Sequence, residues 1–343
     1  MSEDIEDISV IIPVIKNTNI LNYTLKECLK IKRLSVIYLV IDFIDQSTQF
    51  NHEKIVYLKV KSGQTMSFKR NFAAKLSKTK YLMFFDSDSY PANPDVGLCA
   101  INILNSDNKI SAVGGPDISP KNQGFWQAIT GLINNSFFIS GFRHHRKKIM
   151  SERYVEELCS CNLFMEKSEY FKFNGMNEAI YYAEDTDLFN RIINKGFKLY
   201  YSPNVLAFHR DRSLLTYITK RYLAGYNTAL SIKSFIYKKI NKIKIVKGEF
   251  RYEYILTPLL ALYIFLLILL SFFYNLNFVL LFPLIFFLLL VLVDSIRISN
   301  LISCIYIYFF LLVIILIQSF ASLTTFFGLN LNVKKIYRND NDK

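Results

Sequence analysis

The sequence predicts an α/β domain with a mostly parallel sheet, followed by helices that cross a membrane. Between residues 8 and 105, short apolar runs rich in valine, isoleucine and aromatic residues alternate with segments of helical periodicity. Such alternation is typical of a sheet whose strands are joined by helices that cover both of its faces. After residue 254 the chain is almost continuously apolar, which is typical of membrane-spanning helices.

Seven elements are predicted in the first third of the chain. Strands are expected at 8–13, 36–42, 55–60 and 80–85, and helices at 20–31, 65–77 and 94–105. Ligands of a parallel sheet bind beyond the carboxyl ends of its strands. Polar residues that end or follow these strands are therefore the first candidates for a functional site.

Two aspartates follow the most apolar of these strands. Asp86 and Asp88 come directly after Tyr81 to Phe85 and are spaced two residues apart. Where the chain bends at a strand end, two such carboxylates can converge on one hard divalent cation, whose other ligands a diphosphate supplies. A polar loop or a helix N-cap is the competing interpretation, so the rest of the chain must decide between them.

Other polar residues are predicted near the same edge of the sheet. Asp42 ends the strand at 36–42, and Lys69 and Arg70 lie near the start of the helix at 65–77. An arginine at this place is suited to bidentate contact with a phosphate or a carboxylate. The alternative for the aspartate is a loop or cap residue, and for the two cations it is a solvated helix face.

A second acidic cluster opens a later helix. Glu184, Asp185 and Asp187 lie in its first turn, where the helix dipole favours negative charge. That preference explains one acidic residue more easily than three, and a carboxylate crowded by others acquires the raised pKa that suits a general base. His209 follows a strand-like segment at 205–208 and would reach the same sheet edge, although a lone histidine is usually structural.

The five cysteines are odd in number and scattered along the chain, which argues against disulfides. Cys159 and Cys161 form a Cys-x-Cys pair without a second pair. A zinc site is therefore not expected there, and a strand of small residues is the default interpretation. This cysteine usage fits a domain that faces a reducing compartment.

The stretch 117–160 combines an apolar helix that contains Trp126 with a cluster of cations that contains Arg143. This combination is typical of a helix at a membrane interface. An ordinary core helix followed by a solvated loop is the alternative.

The apolar part of the chain divides into three predicted spans, at about 255–273, 277–293 and 301–327. The expected organisation is a globular domain at 1–232, a basic segment at 233–253, a transmembrane region at 254–329 and a polar tail at 330–343. Asp294 and Arg297 are placed in a loop between the last two spans. A transporter is not expected, because the spans contain no charged pair of the kind that lines an ion pathway.

The basic segment predicts the orientation of the chain. Its lysines adjoin the first span, so the positive-inside rule places them, and the domain before them, in the cytoplasm. They contribute to the formal net charge of +13 and can attract anionic lipid headgroups. No nucleic acid is expected as a partner, because the charge adjoins apolar spans and no recognition motif. The expected location is the cytoplasmic membrane, crossed several times, with the domain facing the cytoplasm.

Taken in order, these motifs resemble those of the inverting family 2 glycosyltransferases, which have the Rossmann-like GT-A fold. The residues that carry the resemblance are 8–13, Asp42, Lys69-Arg70-Asn71, Phe84 to Asp88, Gly175, Asn177-Glu178, Glu184-Asp185 and His209. Within the family, the membrane-tailed sugar transferases of exopolysaccharide and surface-glycan assembly are the most similar, because of Ser62-Gly63-Gln64, the segment 112–116 and the terminal spans.

The resemblance implies a role for each matching position. The implied contacts to a nucleotide-diphospho-sugar donor are Pro13, Asp42, Arg70 and Asp86. The implied ligands of Mg²⁺ or Mn²⁺ are Asp86, Asp88 and His209. Asp185, with Glu184 beside it, corresponds to the general base that takes the proton of the acceptor hydroxyl. The stretch 117–160 lies where the resemblance implies an acceptor-binding region, and we expect a polyprenyl-phosphate-linked acceptor there. The expected acceptor contacts are Trp126, Arg143, Asn177 and Glu178.

Two departures from the family pattern matter. After Asp42 the family continues with Asp, Gly and Ser, whereas Phe43 to Thr48 is bulkier here, and Asp45 becomes a candidate to share the nucleobase contact. The Gln-x-x-Arg-Trp motif of processive synthases has its nearest counterpart in Ile218 to Tyr222, which lacks both Gln and Trp. We therefore expect transfer of a single sugar and no polymerisation.

The expected activity is metal-dependent transfer of one sugar to a hydroxyl of a lipid-linked glycan. One alternative is a polyprenyl-phosphate monosugar synthase, whose acceptor is the phosphate itself and which has less need of a base. A second is a membrane scaffold that keeps the fold without the chemistry. The joint presence of Asp86, Asp88 and Asp185 argues against the scaffold.

Overall fold

The computed structural model describes residues 7–44, 49–140, 147–180, 184–242, 255–272 and 278–329. The chain divides into two compact units. The first unit comprises residues 1–122 and 145–210, and the second comprises 123–144 and 211–343. Among the described residues, the first unit is a mixed α/β domain and the second is helical.

Eleven strands lie in the described part of the first unit. They are β1 Ile8–Lys16, β2 Leu34–Phe43, β3 Ile55–Lys59, β4 Tyr81–Phe85, β5 Ser89–Pro91, β6 Ile110–Gly114, β7 Asp117–Ile118, β8 Arg153–Val155, β9 Asn162–Glu166, β10 Lys198–Tyr201 and β11 Ala207–His209. Eight form one sheet in the order β3-β2-β1-β4-β9-β6-β10-β8, and three form a small sheet in the order β5-β11-β7.

The large sheet is mixed. β1 is parallel to both β2 and β4, β2 is parallel to β3, and β10 is parallel to β6. β9 runs antiparallel between β4 and β6, and β8 runs antiparallel to β10. The predicted α/β class with a large central sheet is confirmed, and the antiparallel strands β8 and β9 go beyond the elements that the sequence predicts.

Eleven helices complete the described residues. They are α1 Asn19–Cys28, α2 Met66–Leu76, α3 Val96–Ser106, α4 Phe125–Ile133, α5 Phe137–Ser140, α6 Lys167–Lys172, α7 Glu184–Asn194, α8 Leu214–Ile240, α9 Leu256–Ser271, α10 Phe278–Ile298 and α11 Leu301–Phe326. The three helices predicted before residue 106 are all present and differ from the prediction only at their ends. The helices of the second unit are α4, α5 and α8 to α11.

Helices cover both faces of the large sheet because its central strands are apolar on both sides. In β4, Tyr81, Met83 and Phe85 pack into one core with α1 and α3. The alternate residues Leu82 and Phe84 pack into the opposite core with α2, α6 and α7. A strand buried in this way must end where its first charged residue reaches the surface, which fixes the position of Asp86.

Two glycines allow the chain to pass closely between the sheets. A Cβ atom on Gly114 would lie 2.7 Å from the carbonyl oxygen of Asn162, and one on Gly115 would lie 1.9 Å from that of Val205. Backbone atoms cannot turn aside as a flexible side chain can. These glycines therefore set the path of the chain from β6 into β7, which begins at Asp117.

The second unit has its own apolar core. α4 contributes Ile129 and Ile133, which pack in one cluster with Tyr217 of α8 and Leu311 of α11. A Cβ atom on Gly225 of α8 would lie 2.2 Å from the carbonyl oxygen of Gln318 in α11, so that position requires a glycine for the two helices to approach. The apolar helix of the predicted acceptor region is thus a core helix of this unit on one face.

Two helices among the described residues are long and apolar enough to cross a membrane, over Leu280–Ile298 and Ser303–Phe326. The apolar part of α9, Pro258–Ser271, is shorter than a span requires. Length and composition are the whole of this evidence. Three spans therefore stay a prediction.

The expected loop that contains Asp294 and Arg297 is wrong. Both residues lie in the last turns of α10, which continues to Ile298. The carboxylate of Asp294 accepts hydrogen bonds from the Ser136 hydroxyl at 2.6 Å and from the Phe137 N–H at 2.9 Å. These bonds, with an ion pair to Arg297, offset the cost of burying a carboxylate in an apolar helix.

The predicted basic segment is partly helical. Lys233, Lys238 and Lys239 lie on α8, which runs across the expected domain boundary at residue 232. Lys242 is the last described residue of that segment. Residues 243–254 and the tail at 330–343 lie outside the described residues. Asp45, the candidate to share the nucleobase contact, lies outside them as well.

Replacing Gly115 with alanine is expected to lower the free energy of unfolding by about 1–3 kcal/mol, because the new methyl group would collide with backbone. Denaturant unfolding of the full-length chain, followed by circular dichroism, measures the change. Gly97→Ala is the matched control: its Cβ would approach closely only the terminal methyl group of Ile8, which can rotate away, while Ile31 and the Lys32 carbonyl would lie at ordinary contact distances of 3.5 and 3.8 Å. Equal losses for the two variants would contradict the close backbone approach.

Candidate active site

The carboxyl edge of the parallel strands carries the residues predicted to bind the donor. Asp42 is near the end of β2, and Asp86 follows β4 directly. β1 pairs with β4 only as far as Ile11, opposite Phe84, whereas it stays paired with β2 beyond that point. Pro13 lies just past this divergence, where a residue without an N–H is tolerated. Continuing the register brings Asp86 level with Pro13.

A buried arginine joins two of the predicted site residues. Arg70, on the first turns of α2, is only 2% exposed. Its Nη2 lies 2.6 Å from Asp86 Oδ1 and its Nη1 lies 2.9 Å from Glu184 Oε1. Burial alone would lower the pKa of Arg70, but the charges of Asp86 and Glu184 outweigh burial and raise it. Arg70 therefore stays charged and ties α7 to the end of β4.

The neighbouring lysine makes a second buried ion pair. Lys69 Nζ lies 2.8 Å from Asp42 Oδ1 and donates to the carbonyl oxygen of Val14 at 2.6 Å. Burial lowers the pKa of Lys69, and the bond to Asp42 opposes that change. The alternative interpretation, that Lys69 and Arg70 lie on a solvated helix face, is thus wrong because both side chains are buried. A nucleobase contact by Asp42 stays a prediction.

The small sheet brings His209 to the Asp-x-Asp sequence. β11 pairs antiparallel with β5, which sets His209 opposite Ser89, and the Arg210 N–H donates to the Asp88 carbonyl. His209 Nε2 lies 3.4 Å from Asp88 Oδ1, and its Nδ1 lies 3.3 Å from Asp117 Oδ2. Burial alone would lower the pKa of His209. The charge of Asp88 and hydrogen bonds to both carboxylates outweigh burial and raise this pKa to about 10.

The residues expected to hold a hard divalent ion lie close together. Ligand atoms of Asp86, His209 and Cys161 lie within 4.8 Å of one another. Asp88 contacts His209 from the other end of the same short turn. Two carboxylates and an imidazole in a partly exposed site fit Mg²⁺ or Mn²⁺, which take oxygen ligands by preference and leave positions for phosphate oxygens. The geometry is thus consistent with the predicted ligand set.

The three acidic residues at the start of α7 have different partners. Glu184 pairs with Arg70, and Asp187 pairs with Arg191 at 2.7 Å. Burial raises the pKa of Glu184, and Arg70 opposes that rise. The hydrogen bonds described for Asp185 come instead from the backbone N–H groups of Ser160, at 3.4 Å, and Thr186, at 2.9 Å. Asp185 is therefore the member of the cluster without an ion-pair partner among the described residues.

The predicted acceptor residues belong to different parts of the chain. Asn177 and Glu178 line an open cavity of about 540 Å³ to which Asp86, Asp88 and Asp185 do not contribute. Glu178 Oε1 accepts from Asn71 Nδ2 at 2.8 Å, which gives it a structural partner. Trp126 belongs to the second unit, where its ring contacts Phe310 edge-on. Arg143 lies outside the described residues.

Three residues of the site lie beyond the sequence-based prediction. Asp117 begins β7 and contacts His209, and Lys147 Nζ lies 2.9 Å from the same carboxylate. Cys161 Sγ lies 3.5 Å from His209 Nδ1. Only Asp117 had a signal in the sequence: it follows the apolar segment 110–116, as Asp86 follows the apolar run 81–85.

The Cys-x-Cys pair lies in a turn before β9, so its interpretation as a strand of small residues is wrong. The Asn162 N–H donates to the Cys159 carbonyl at 3.0 Å, which closes the turn. All five cysteines are described, and none forms a disulfide, as predicted. The hydrogen bond between the two thiols and their burial raise the pKa of Cys161.

One protein family matches part of the chain by sequence. Residues 141–213 match the model of a family described as the N-terminal domain of galactosyltransferase. The matched stretch contains Glu184, Asp185 and His209. No curated protein sequence matches the chain.

Several solved glycosyltransferase structures are similar in fold. GalNAc-T7 with UDP, GalNAc and Mn²⁺ is 14% identical, with 62% of this chain and 45% of that chain covered and a TM-score of 0.48. The mannosyltransferase PcManGT from Pyrobaculum calidifontis, with GDP-Man and Mn²⁺, is 11% identical, with 71% and 66% covered and a TM-score of 0.47. TarS from S. aureus, with UDP-GlcNAc, is 14% identical, with 60% of each chain covered and a TM-score of 0.43.

The chain spans between about half and two-thirds of the length of these three proteins. The resemblance to family 2 in particular stays a prediction. Over residues 141–213, which include the acidic start of α7 and His209, the predicted resemblance to glycosyltransferases is confirmed by sequence.

Proposed function

We propose that the chain is a metal-dependent, inverting glycosyltransferase that transfers one sugar from a nucleotide-diphospho-sugar to a hydroxyl of a lipid-linked glycan. The observation that carries the proposal is the position of Asp185 on α7, joined through Glu184 and Arg70 to Asp86 at the end of β4. This ion-pair chain connects a potential base with a potential metal and diphosphate site. The family match over residues 141–213 supports the same reaction class.

Asp86, Asp88 and His209 would hold Mg²⁺ or Mn²⁺ beside the diphosphate of the donor. When bound, the ion supplies positive charge that stabilises the departing nucleoside diphosphate. The partial exposure of Asp86 and Asp88 leaves room for phosphate oxygens to complete the coordination. Arg70, which remains charged, contacts Asp86 from its buried side and so orients the carboxylate.

Asp185 is the proposed general base. Its carboxylate takes the proton of the acceptor hydroxyl while the hydroxyl oxygen forms a bond to the anomeric carbon. The bond from that carbon to the diphosphate oxygen breaks on the opposite side, so one displacement inverts the configuration. Glu184 and Asp187 are less suited to this role, because each is held by an arginine.

The lipid-linked acceptor and the membrane are supported by the second unit. α10 and α11 contain apolar segments long enough to cross a bilayer. Phe125 and Trp126, at the start of α4, are about half exposed although their helix packs into an apolar core. Half-exposed aromatic rings suit a membrane interface. With Lys233, Lys238 and Lys239 on α8, they favour attachment to the cytoplasmic membrane with the first unit in the cytoplasm.

Asp88→Asn is expected to weaken activation by Mn²⁺ by about 10-fold to 100-fold, because one anionic ligand is lost. The measurement is release of nucleoside diphosphate from a panel of nucleotide sugars, as a function of Mn²⁺ concentration. Asp95→Asn is the control, because Asp95 pairs with Lys32 on the surface. An unchanged Mn²⁺ dependence in the Asp88 variant would remove this residue from the metal site.

Asp185→Asn is expected to reduce kcat by about 10²-fold to 10⁴-fold with little change in donor KM, because the proton acceptor is lost while the donor site is kept. Transfer to a lipid-linked glycan in membranes provides the assay, and Asp187→Asn is the control on the same turn. Full turnover of the Asp185 variant would indicate that the acceptor needs no base, as in a polyprenyl-phosphate monosugar synthase.

A further inference from the structure

The side chains of four potential metal ligands, His209 among them, lie close together. The Sγ atoms of Cys159 and Cys161 lie 3.0 Å apart, and Cys161 Sγ lies 3.7 Å from Asp117 Oδ2 and 3.5 Å from His209 Nδ1. Asp117 Oδ2 and His209 Nδ1 are themselves 3.3 Å apart. Ligand atoms of Asp117, Cys159 and Cys161 all lie within 4.8 Å of one another, and these three residues are buried. The cluster is thus compact and shielded from solvent.

Several separate parts of the fold hold these ligands in place. The Ser89 hydroxyl of β5 donates to the Cys161 carbonyl at 3.0 Å, which fixes the turn. Asn162 Nδ2, at the start of β9, donates to the Val205 carbonyl at 2.7 Å. β7 and β11 pair in parallel with Asp117 opposite Ala207, so Asp117 and His209, two residues farther along β11, lie on the same face of the small sheet. These two side-chain donors and the strand pairing hold the backbone of the cluster without contacting the thiols.

The donor atoms and their spacing fit a tetrahedral ion. Two thiolates, a carboxylate and an imidazole are ligands of Zn²⁺, whereas Mg²⁺ and Mn²⁺ prefer oxygen. Zinc–ligand bond lengths and a tetrahedral angle require donor atoms about 3.3–3.8 Å apart. The distances of 3.3, 3.5 and 3.7 Å meet that requirement, and the sulfur atoms, at 3.0 Å, would have to separate by less than about 1 Å.

We propose that Cys159, Cys161 and Asp117 bind a divalent ion of the zinc class, with His209 Nδ1 as the fourth ligand. Binding releases three protons to solvent, one from each thiol and one from Nδ1 of the charged His209, and leaves two thiolates and a neutral imidazole on the ion. Lys147, 2.9 Å from Asp117, then balances the charge. The formal charges of two thiolates, one carboxylate, the divalent ion and the lysine cancel, so a buried site carries no net charge.

This ion would be a second one, distinct from the ion at the donor site. His209 lies between the two sites: its Nε2 faces Asp88 and its Nδ1 faces Asp117 and Cys161. An ion on Nδ1 leaves the remaining ring proton on Nε2, which then donates to Asp88. While that ion is bound, Asp86 and Asp88 would hold the donor-site ion, and His209 would orient Asp88 without ligating that ion itself. Its role is positional. The inference does not depend on glycosyl transfer, because its test measures ion binding and not sugar transfer.

The test is a titration of the reduced, metal-free, full-length chain, purified in detergent, with Cd²⁺ and with Co²⁺. We expect one equivalent of Cd²⁺ to produce an ultraviolet thiolate-to-metal charge-transfer band, and Co²⁺ to produce the visible bands of a tetrahedral site. Excess Mn²⁺ should not displace either ion. Absence of the bands, or displacement by Mn²⁺, would overturn the proposal.

Variants locate the ion. Cys159→Ser with Cys161→Ser is expected to abolish the bands, and Asp117→Asn to weaken Cd²⁺ binding by about tenfold or more. Cys99→Ser, on α3 and away from the cluster, should leave the titration unchanged. Bands that persist in the double variant would contradict the assignment.

A measurement on the unaltered chain covers the case in which the double variant does not fold. X-ray absorption at the cadmium edge must show two sulfur ligands at Cd–S distance, and a first shell of oxygen and nitrogen alone would overturn the proposal. Loss of sugar transfer in a chain that still binds Cd²⁺ in this way would count against the proposed function and leave this site standing.

Discussion

The site depends on the burial of one guanidinium group between two carboxylates. Arg70 is almost inaccessible to solvent and contacts Asp86 on one side and Glu184 on the other. Taking these charges out of water costs several kcal/mol per ion, and only mutual pairing offsets that cost. The pairing fixes the end of β4 relative to the first turn of α7. One electrostatic constraint therefore places Asp185 relative to the Asp-x-Asp sequence, while the local turn after β4 holds Asp86 through Ser89.

Sequence patterns could predict those parts of the site whose cause is local. The apolar run of β4 and the acidic residue that follows it are adjacent in the chain, so Asp86 is found at once. Arg70 allowed two interpretations, because helical periodicity does not show whether a cation faces solvent or the sheet. Asp117 and His209 are 92 positions apart, and Cys161 is 48 positions from His209, so no spacing rule reveals their contact. The groups that surround the Cys-x-Cys pair likewise come from elsewhere in the fold, so the pair alone does not reveal them.

The helical unit shows the same limit of sequence-based prediction for apolar segments. Composition identifies α9, α10 and α11, but it does not show that α4 packs with α8 and α11 in one core. Nor does it show that Asp294 lies within a helix, because the hydroxyl and N–H groups that satisfy its carboxylate belong to residues 136 and 137. Apolar character is a property of a segment, whereas its packing partner is a property of the whole chain.

The division of the chain into units affects the order in which it can fold during synthesis. The chain leaves the first unit after residue 122, returns to it by residue 147, and leaves it again after residue 210. α4 therefore emerges from the ribosome well before α8 and α11, whose apolar side chains cover it. Its apolar face has no cover from these helices until they are synthesised. A fragment cut after residue 210 would keep α4 and lose that cover, so a soluble fragment with the candidate active site also requires replacement of the insertion at 123–144.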